Sequence, residues 1–348
     1  MKKELNIYKI ATEAGVSPAT ISRVLTNNAR VSEEKRKKVE EVIRKYDYRP
    51  NALARGLTNT KTKLIGILAS DLVNPYYSQL VTQCVKAINE SSYDPVVFDA
   101  MGQNELEVKY LHKMFDLRVD AILMMGGKSD QLVTDPEYAD LINRIAENIP
   151  VITTGKVDGG LCYEISIDEL GSVTQAMEHL IELGHRDIAL IGGKGDIRST
   201  FDKRMRYRSM LRKYGIEYRD HYVMESDYNI ESGYQCMKEM LEKTGAERPT
   251  AVMAINDFSA IGVLRCLKEN NLRIPEDVAL LSFDNTYIAD TLYPRMTSVS
   301  YEYEELGKAL VKAAVSLMNE ENVPRVQQIP TKLIIRESTT GYEKGEKS

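Results

Sequence analysis

Apolar residues recur along this chain in two different periods, and the change of period divides it. Over residues 7–46 they fall three and four apart: Ile7, Ile10, Ala11 and Ala14, then Ile21, Val24 and Leu25, then Val39, Val42, Ile43 and Tyr46. That spacing predicts three short amphipathic helices. Asn6, Ser17 and Ser32 stand where N-caps belong, Pro18 fits a first helical turn, and Gly15 supplies the tight turn between the first two helices. From residue 63 the stripe gives way to short continuous apolar runs at 63–69, 96–100, 121–125 and 151–154, with helical stretches such as 78–88 and 138–149 between them. A second series runs 163–168, 188–193, 251–256 and 278–284, and a last strand–helix–strand spans 298–302 through 332–338. Such alternation is the mark of buried parallel strands in β-α-β units, here two open sheets.

The length of 348 residues fits one small domain plus one or two larger ones, with 43% apolar residues for the cores. No apolar run approaches the ~20 residues that cross a bilayer. Met1, Lys2, Lys3 and Glu4 open the chain without the apolar stretch of a signal peptide, which predicts a cytoplasmic location and no membrane contact. The net charge of −5 conceals an asymmetry: residues 1–60 hold 13 Lys/Arg against 7 Asp/Glu, and the remainder holds 33 against 44. A basic head on an acidic body directs the head to a polyanion.

Catalytic chemistry finds no support. Cys84, Cys162, Cys236 and Cys266 are far apart and predict buried reduced thiols, and the four histidines are as scattered, so no metal site is expected. Residues 191–196, IGGKGD, lack the spacing and the Ser/Thr of a phosphate loop, and no G-x-S-x-G is present. No catalytic group and no cofactor are expected.

In the head, the inward stripe Ile21, Val24 and Leu25 leaves Ala19, Thr20 and Arg23 on the opposite face of the second helix. A recognition helix in the major groove displays such a face to base edges. Arg23 suits bidentate contact with guanine, and Ala19 only apolar contact with a thymine methyl. Lys35, Arg36, Lys37 and Lys38 on the third helix suit a solvated face equally well. A helical bundle packed on a protein partner is the alternative for the whole head; the glycine turn, the Ser17-Pro18 start and the next segment favour DNA. That segment, 49–58, reads RPNALARGLT. Asn51 can cap a helix over 52–57 that is too short to stand alone in water, and Gly56 weakens it by about 1 kcal/mol relative to alanine. It should fold only against a partner surface. Leu57, beside Ala54 and Arg55, is then either a leucine tucked on the body or an apolar wedge in a minor groove.

In the body, ligands of open α/β sheets bind beyond the carboxyl ends of the strands. Polar residues there are Asp71, Asn74, Tyr76 and Tyr77 after the first run, Thr154, Asn256 with Asp257, and Asp284 with Asn285. Asn74 and Asp257 can instead cap helices, the role expected of Asp257. Asp284, ending a buried strand, needs partners of its own.

Together AGVSPATISRVL, VSEEKRKKVEEVI, YRPNALARGL and LIGILASDLVNPYYSQL resemble the lactose-repressor/galactose-repressor family of bacterial regulators, and the similarity continues to about residue 338. The resemblance implies an N-terminal all-α helix-turn-helix headpiece (1–48) and a hinge helix (49–62). An α/β two-lobed, periplasmic-binding-protein-like (type I) effector domain with parallel sheets would follow (63–348). Its first lobe would cover about 63–160 and 294–325, its second about 161–293 and 326–340. Operator contacts are implied for Ser17, Pro18, Ala19, Thr20, Arg23, Asn27 and Arg30, and in the hinge for Asn51, Ala54, Arg55 and Leu57. Effector contacts are implied for Asn256, Asp284 and Tyr301. Two departures stand out: Gly56 replaces a serine or alanine, and within FDKRMRYRSML Lys203 takes the place of an arginine and Arg206 that of a glycine, while Tyr207 keeps the aromatic. A lysine is a point charge without the planar fork, so Lys203, with Arg204 behind it, admits an anionic effector or merely a solvated basic face.

The expected protein is a homodimeric repressor on a pseudo-palindromic double-stranded operator, controlled by a small carbohydrate or carbohydrate derivative. Alternatives are control by a phosphocarrier protein, or a stand-alone sugar-binding protein.

Overall fold

The computed structural model describes residues 7–25, 31–46 and 61–341, which divide into a unit within 1–62 and a unit over 63–348. Asn6, Asn27, Arg30 and the segment with Asn51, Ala54, Arg55 and Leu57 lie outside the described residues.

The head follows its apolar stripe. Helices α1 (Ile7–Ala14), α2 (Pro18–Leu25) and α3 (Glu33–Tyr46) bury Ile10, Ala11, Ala14, Ile21, Val24 and Val39, with Val42, Ile43 and Tyr46 packed against them. Gly15 takes φ +65° between α1 and α2, a left-handed conformation that costs glycine nothing. Ser17 caps α2, its Oγ accepting the Thr20 N–H at 3.2 Å. Lys45 and Tyr46 on α3 donate to Glu13 on α1 at 2.6 and 2.9 Å, which holds the Glu13 carboxyl below its usual range.

In the body, β1 (Leu64–Ala69), α4 (Pro75–Asn89), β2 (Asp94–Asp99), α5 (Asn104–Asp116), β3 (Ala121–Met125), α6 (Pro136–Ala146), β4 (Val151–Thr153) and β5 (Tyr163–Ile167) open a first lobe. The second lobe holds α7 (Glu169–Glu182), β6 (Ile188–Ile191), α8 (Arg198–Lys213), β7 (Val223–Met224), α9 (Ile230–Thr244), β8 (Ala251–Ala254), α10 (Asp257–Glu269), β9 (Ala279–Asp284), α11 (Tyr287–Thr291) and β10 (Thr297–Ser300). The chain then returns through α12 (Tyr303–Met318) and β11 (Val326–Ile329) to the first lobe, and ends in the second with β12 (Lys332–Ile334) and α13 (Glu337–Thr340).

The two sheets run β11-β5-β4-β3-β1-β2 and β12-β10-β9-β8-β6-β7, parallel except for the antiparallel pair β10–β12. Period-two alternation feeds both faces of each sheet. On β1, Ile65, Ile67 and Ala69 face α4 and α12, whereas Leu68 faces α5 and α6; on β9, Leu281 and Phe283 face α7 and α8, whereas Leu280 faces α9 and α10. Burial on both faces explains why these strands read as continuous apolar runs.

Three expectations change here. The run at 163–168 does not open the second sheet but pairs with β4 and β11 in the first. The strand at 297–300 pairs with β9 in the second lobe, not the first, and β11, expected in the second lobe, lies in the first. The crossovers therefore fall between Ile167 and Glu169, between Ser300 and Tyr303, and between Ile329 and Lys332. An apolar run reports that a strand is buried; it does not report which sheet supplies its neighbours.

Candidate functional site

In the head, burial of Ile21 and Val24 turns Ala19 and Arg23 to solvent, with Ser17 exposed beside them. Thr20 and Pro18 are half-buried, and the Thr20 hydroxyl shares a 3.0 Å hydrogen bond with that of Ser17. Lys35, Lys37 and Lys38 are exposed on α3, and Glu34 one turn earlier holds Lys38 at 2.8 Å. Such a solvent-screened pair adds little to stability and leaves the α3 face basic.

In the body, strand ends of both lobes converge on one cavity of about 700 Å³, the size range of small-ligand sites. Asp71, Tyr76, Tyr77, Thr154, Lys203, Asn256, Asp284 and Tyr301 all line it. Arg204 does not. Successive helical residues diverge by about 100°, so the stripe that sends Lys203 inward sends Arg204 away. Its guanidinium donates to the carbonyls of Gly192 and Gly193 at 3.3 and 2.8 Å and pairs with Glu225 at 2.9 Å. Arg206 likewise donates to the Leu170 carbonyl at 3.3 Å.

Lys203 is no solvated base. Its side chain is 5% exposed and ion-paired with Glu169, and its Nζ stands 5.4 and 5.6 Å from the ring centroids of Phe283 and Tyr301. The anionic-effector expectation rested on a free cation, and burial beside a carboxylate removes that basis. Asp284, 6% exposed, sits at φ +96° where β9 ends. Strained backbone of this kind in a non-glycine residue persists where surrounding structure imposes it. Burial and the nearby Asp257 carboxylate push the Asp284 carboxyl well above its usual range, against the pull of Lys203.

Asn256, not Asp257, caps α10. Its Oδ1 accepts the Ser259 N–H at 2.9 Å and its amide donates to the Tyr228 carbonyl at 3.1 Å. One N–H and one lone pair remain for the cavity. Asp257 accepts instead from the Ser282, Thr286 and Ser298 hydroxyls and the Thr286 N–H at 2.5–3.0 Å, tying α10 to β9 and β10. Asn74 caps α4, accepting the Tyr76 N–H at 3.0 Å, while also lining the cavity. The aromatic wall is set by edge contacts of Tyr76 with Tyr77 at 4.9 Å and with Tyr301 at 5.9 Å.

Several lining carboxyls escape the sequence reading, Glu169 and Asp130 among them. Glu169 follows β5, a strand whose sheet was misassigned; Asp130 sits five residues past β3, beyond where a strand-end rule looks. Burial first, and then Glu107 and Glu169, push the Asp130 carboxyl up to about 7. At the rim the lobes touch: the Leu132 N–H donates to the Asp196 carbonyl at 2.7 Å, and Arg198 reaches the Leu132 carbonyl at 2.8 Å and Asp158 at 3.0 Å. No group of metal-binding side chains occurs among the described residues, and no helix among them is long and apolar enough to cross a membrane.

Comparison with known proteins bears on both units. Residues 6–51 match the family "Bacterial regulatory proteins, lacI family" and residues 177–339 a "Periplasmic binding protein-like domain". Catabolite control protein A of Priestia megaterium is 30% identical over 338 residues, 96% of this chain and 99% of that one. The protein of that name from Staphylococcus xylosus is 30% identical over 322 residues, 92% and 94% of the two chains. Among solved structures, a lac repressor dimer bound to operator and the anti-inducer ONPF superposes with TM-score 0.85 at 26% identity, covering 97% of this chain and 99% of that one. A complex of the transcriptional regulator CelR with cellobiose gives 0.70 at 27%, covering 96% and 100%.

Proposed function

The chain belongs to the lacI family of bacterial regulatory proteins, DNA-binding transcriptional regulators, and from that premise we propose a repressor of carbohydrate-related genes controlled by a small sugar-like effector. The reading takes α2 into the major groove, with Arg23 and Ala19 at base edges and Ser17, Pro18 and Thr20 at its entry. Asn27, Arg30, Asn51, Ala54, Arg55 and Leu57 would complete the operator contact, the last as a minor-groove wedge. Two copies would bind a pseudo-palindrome in the cytoplasm, as the lac repressor neighbour binds its operator as a dimer.

The observation that carries the effector half is the cavity whose wall brings the aromatic rings of Tyr76 and Tyr301 together with the hydrogen-bonding groups of Asn256 and Asp284. Aromatic rings set among many polar groups suit the ring faces and hydroxyls of a saccharide, and the CelR neighbour holds cellobiose. Effector binding would bias the lobes and so the two heads; a coupling of ~1–3 kcal/mol is enough for switching. The test is fluorescence anisotropy of the full chain on genomic fragments, with and without mono- and disaccharides. A sugar that shifts DNA affinity at least about fivefold supports the reading. DNA affinity indifferent to every sugar sinks its effector half.

A further inference from the structure

The effector reading of the cleft is the footing for a narrower question: which charge the ligand carries. Every wall cation among the described residues already has an acidic partner. Lys203 has Glu169, Lys194 has Asp227 at 2.6 Å, and Asp158 takes both Lys156 at 2.7 Å and Arg198 at 3.0 Å. A phosphate or carboxylate entering the cleft would have to break one of these pairs and strand the carboxylate it displaced.

Several wall carboxyls form no ion pair among the described residues, Asp71, Asp130, Asp196, Asp202 and Asp284 among them, and of these five only Asp284 is buried. Asp284 is more than nine-tenths buried and lines the cavity, yet no cation or hydroxyl among the described residues lies within bonding distance of it; the backbone N–H of Asp257 is its support. Asp130, on the first lobe, has neither an ion pair nor a side-chain hydrogen bond among the described residues. Both feel the Lys203–Glu169 pair, whose charges largely cancel. Tyr76 and Tyr301 add aromatic rings to the same wall.

We infer that the cleft takes a sugar-like ligand bearing a protonated amine, with the ammonium held by Asp284, the hydroxyls by Asn256, and Asp130 adding a second carboxyl to the wall. A desolvated ammonium recovers a charge-assisted hydrogen bond from Asp284 as that carboxyl gives up its proton, and the carboxylate gains the counter-ion the fold withholds. A neutral sugar gains only the hydrogen bonds. A phosphorylated one finds every wall cation among the described residues already paired.

Calorimetry on the full chain with glucose, glucosamine and glucose 6-phosphate, and with the galactose counterparts, tests this. In at least one series the amine should bind about tenfold tighter than its parent sugar, the phosphate should not bind, and added salt should shrink the amine's advantage. A parent sugar as tight as its amine, or a phosphate tighter than either, overturns the inference and leaves a sugar effector standing. Failure of all six to bind or to alter DNA affinity overturns the inference and counts against the effector reading as well. Asp284→Asn and Asp130→Asn should each bring the amine-to-sugar ratio toward one. An unchanged ratio in variants folded by circular dichroism also overturns it, and the native series decides if neither variant folds.

Discussion

Lys203 illustrates how burial reassigns a basic side chain. On a solvated helix face it would cost nothing and bind little; facing Glu169 in the interior, it becomes one half of a neutral unit. Removing one half is therefore worse than removing both. Lys203→Met should lose about 3–5 kcal/mol in denaturant unfolding, because Glu169 is left buried and uncompensated, and the double variant with Glu169→Met should regain most of it. Asp130 makes a second prediction. It is faced by Glu107, Tyr76, Tyr77, Tyr138, Tyr228 and Glu169, with Lys203 alone opposing. Its carboxyl holds a proton to about 7 when folded, against 3.8 ordinarily. The folded state thus binds the extra proton between these values, and stability falls as pH rises through that window, then levels. The stability difference between Asp130→Asn and the native chain should widen from about pH 4 to about pH 7, and a flat difference contradicts the assignment. Placement on the cavity wall is legible where a strand end fixes it, as for Asp284 and Tyr76. Arg204 misled because adjacency in sequence is divergence on a helix, and Glu169 was hidden by a misplaced strand.

At the level of elements, the headpiece was the most readable part because its signals are local. Ser17, Pro18 and Gly15 specify cap, first turn and left-handed turn without help from distant chain. The same locality makes α2 a clean place for mutagenesis. Arg23→Ala should weaken binding at one operator base pair by about 1–3 kcal/mol while leaving random DNA nearly untouched. Equal losses on both, in a competition gel shift, would move Arg23 to a phosphate-contacting role. The body's strands were legible as apolar runs, but β7, of two residues, and β11, Val326–Ile329 with two glutamines, carry too little apolar pattern to announce themselves. Sheet membership was unreadable for a deeper reason. Pairing is decided by the return path of the chain, and no residue in β5 or β10 encodes it alone.

Across the body as a whole, the three crossovers join the lobes on one side and the contacts of Leu132, Asp158, Asp196 and Arg198 join them at the rim. Those rim contacts make one lobe arrangement preferred. Arg198→Ala removes the guanidinium from both Leu132 and Asp158, so hydrogen exchange at the Leu132 amide should quicken at least about tenfold as the rim opens more often. Unaltered exchange would mean that the crossovers alone set the arrangement. The order of the crossovers also bears on how the protein is made. The first lobe lacks β11 and the α12 cover over Leu80 and Cys84 until the second lobe has been translated through β10, and the second lobe awaits β12 after that. On the ribosome, then, neither half can close early. Both must wait, with sheet edges bare, for the same final stretch of polypeptide, a delay during which chaperone capture or self-association competes with completion.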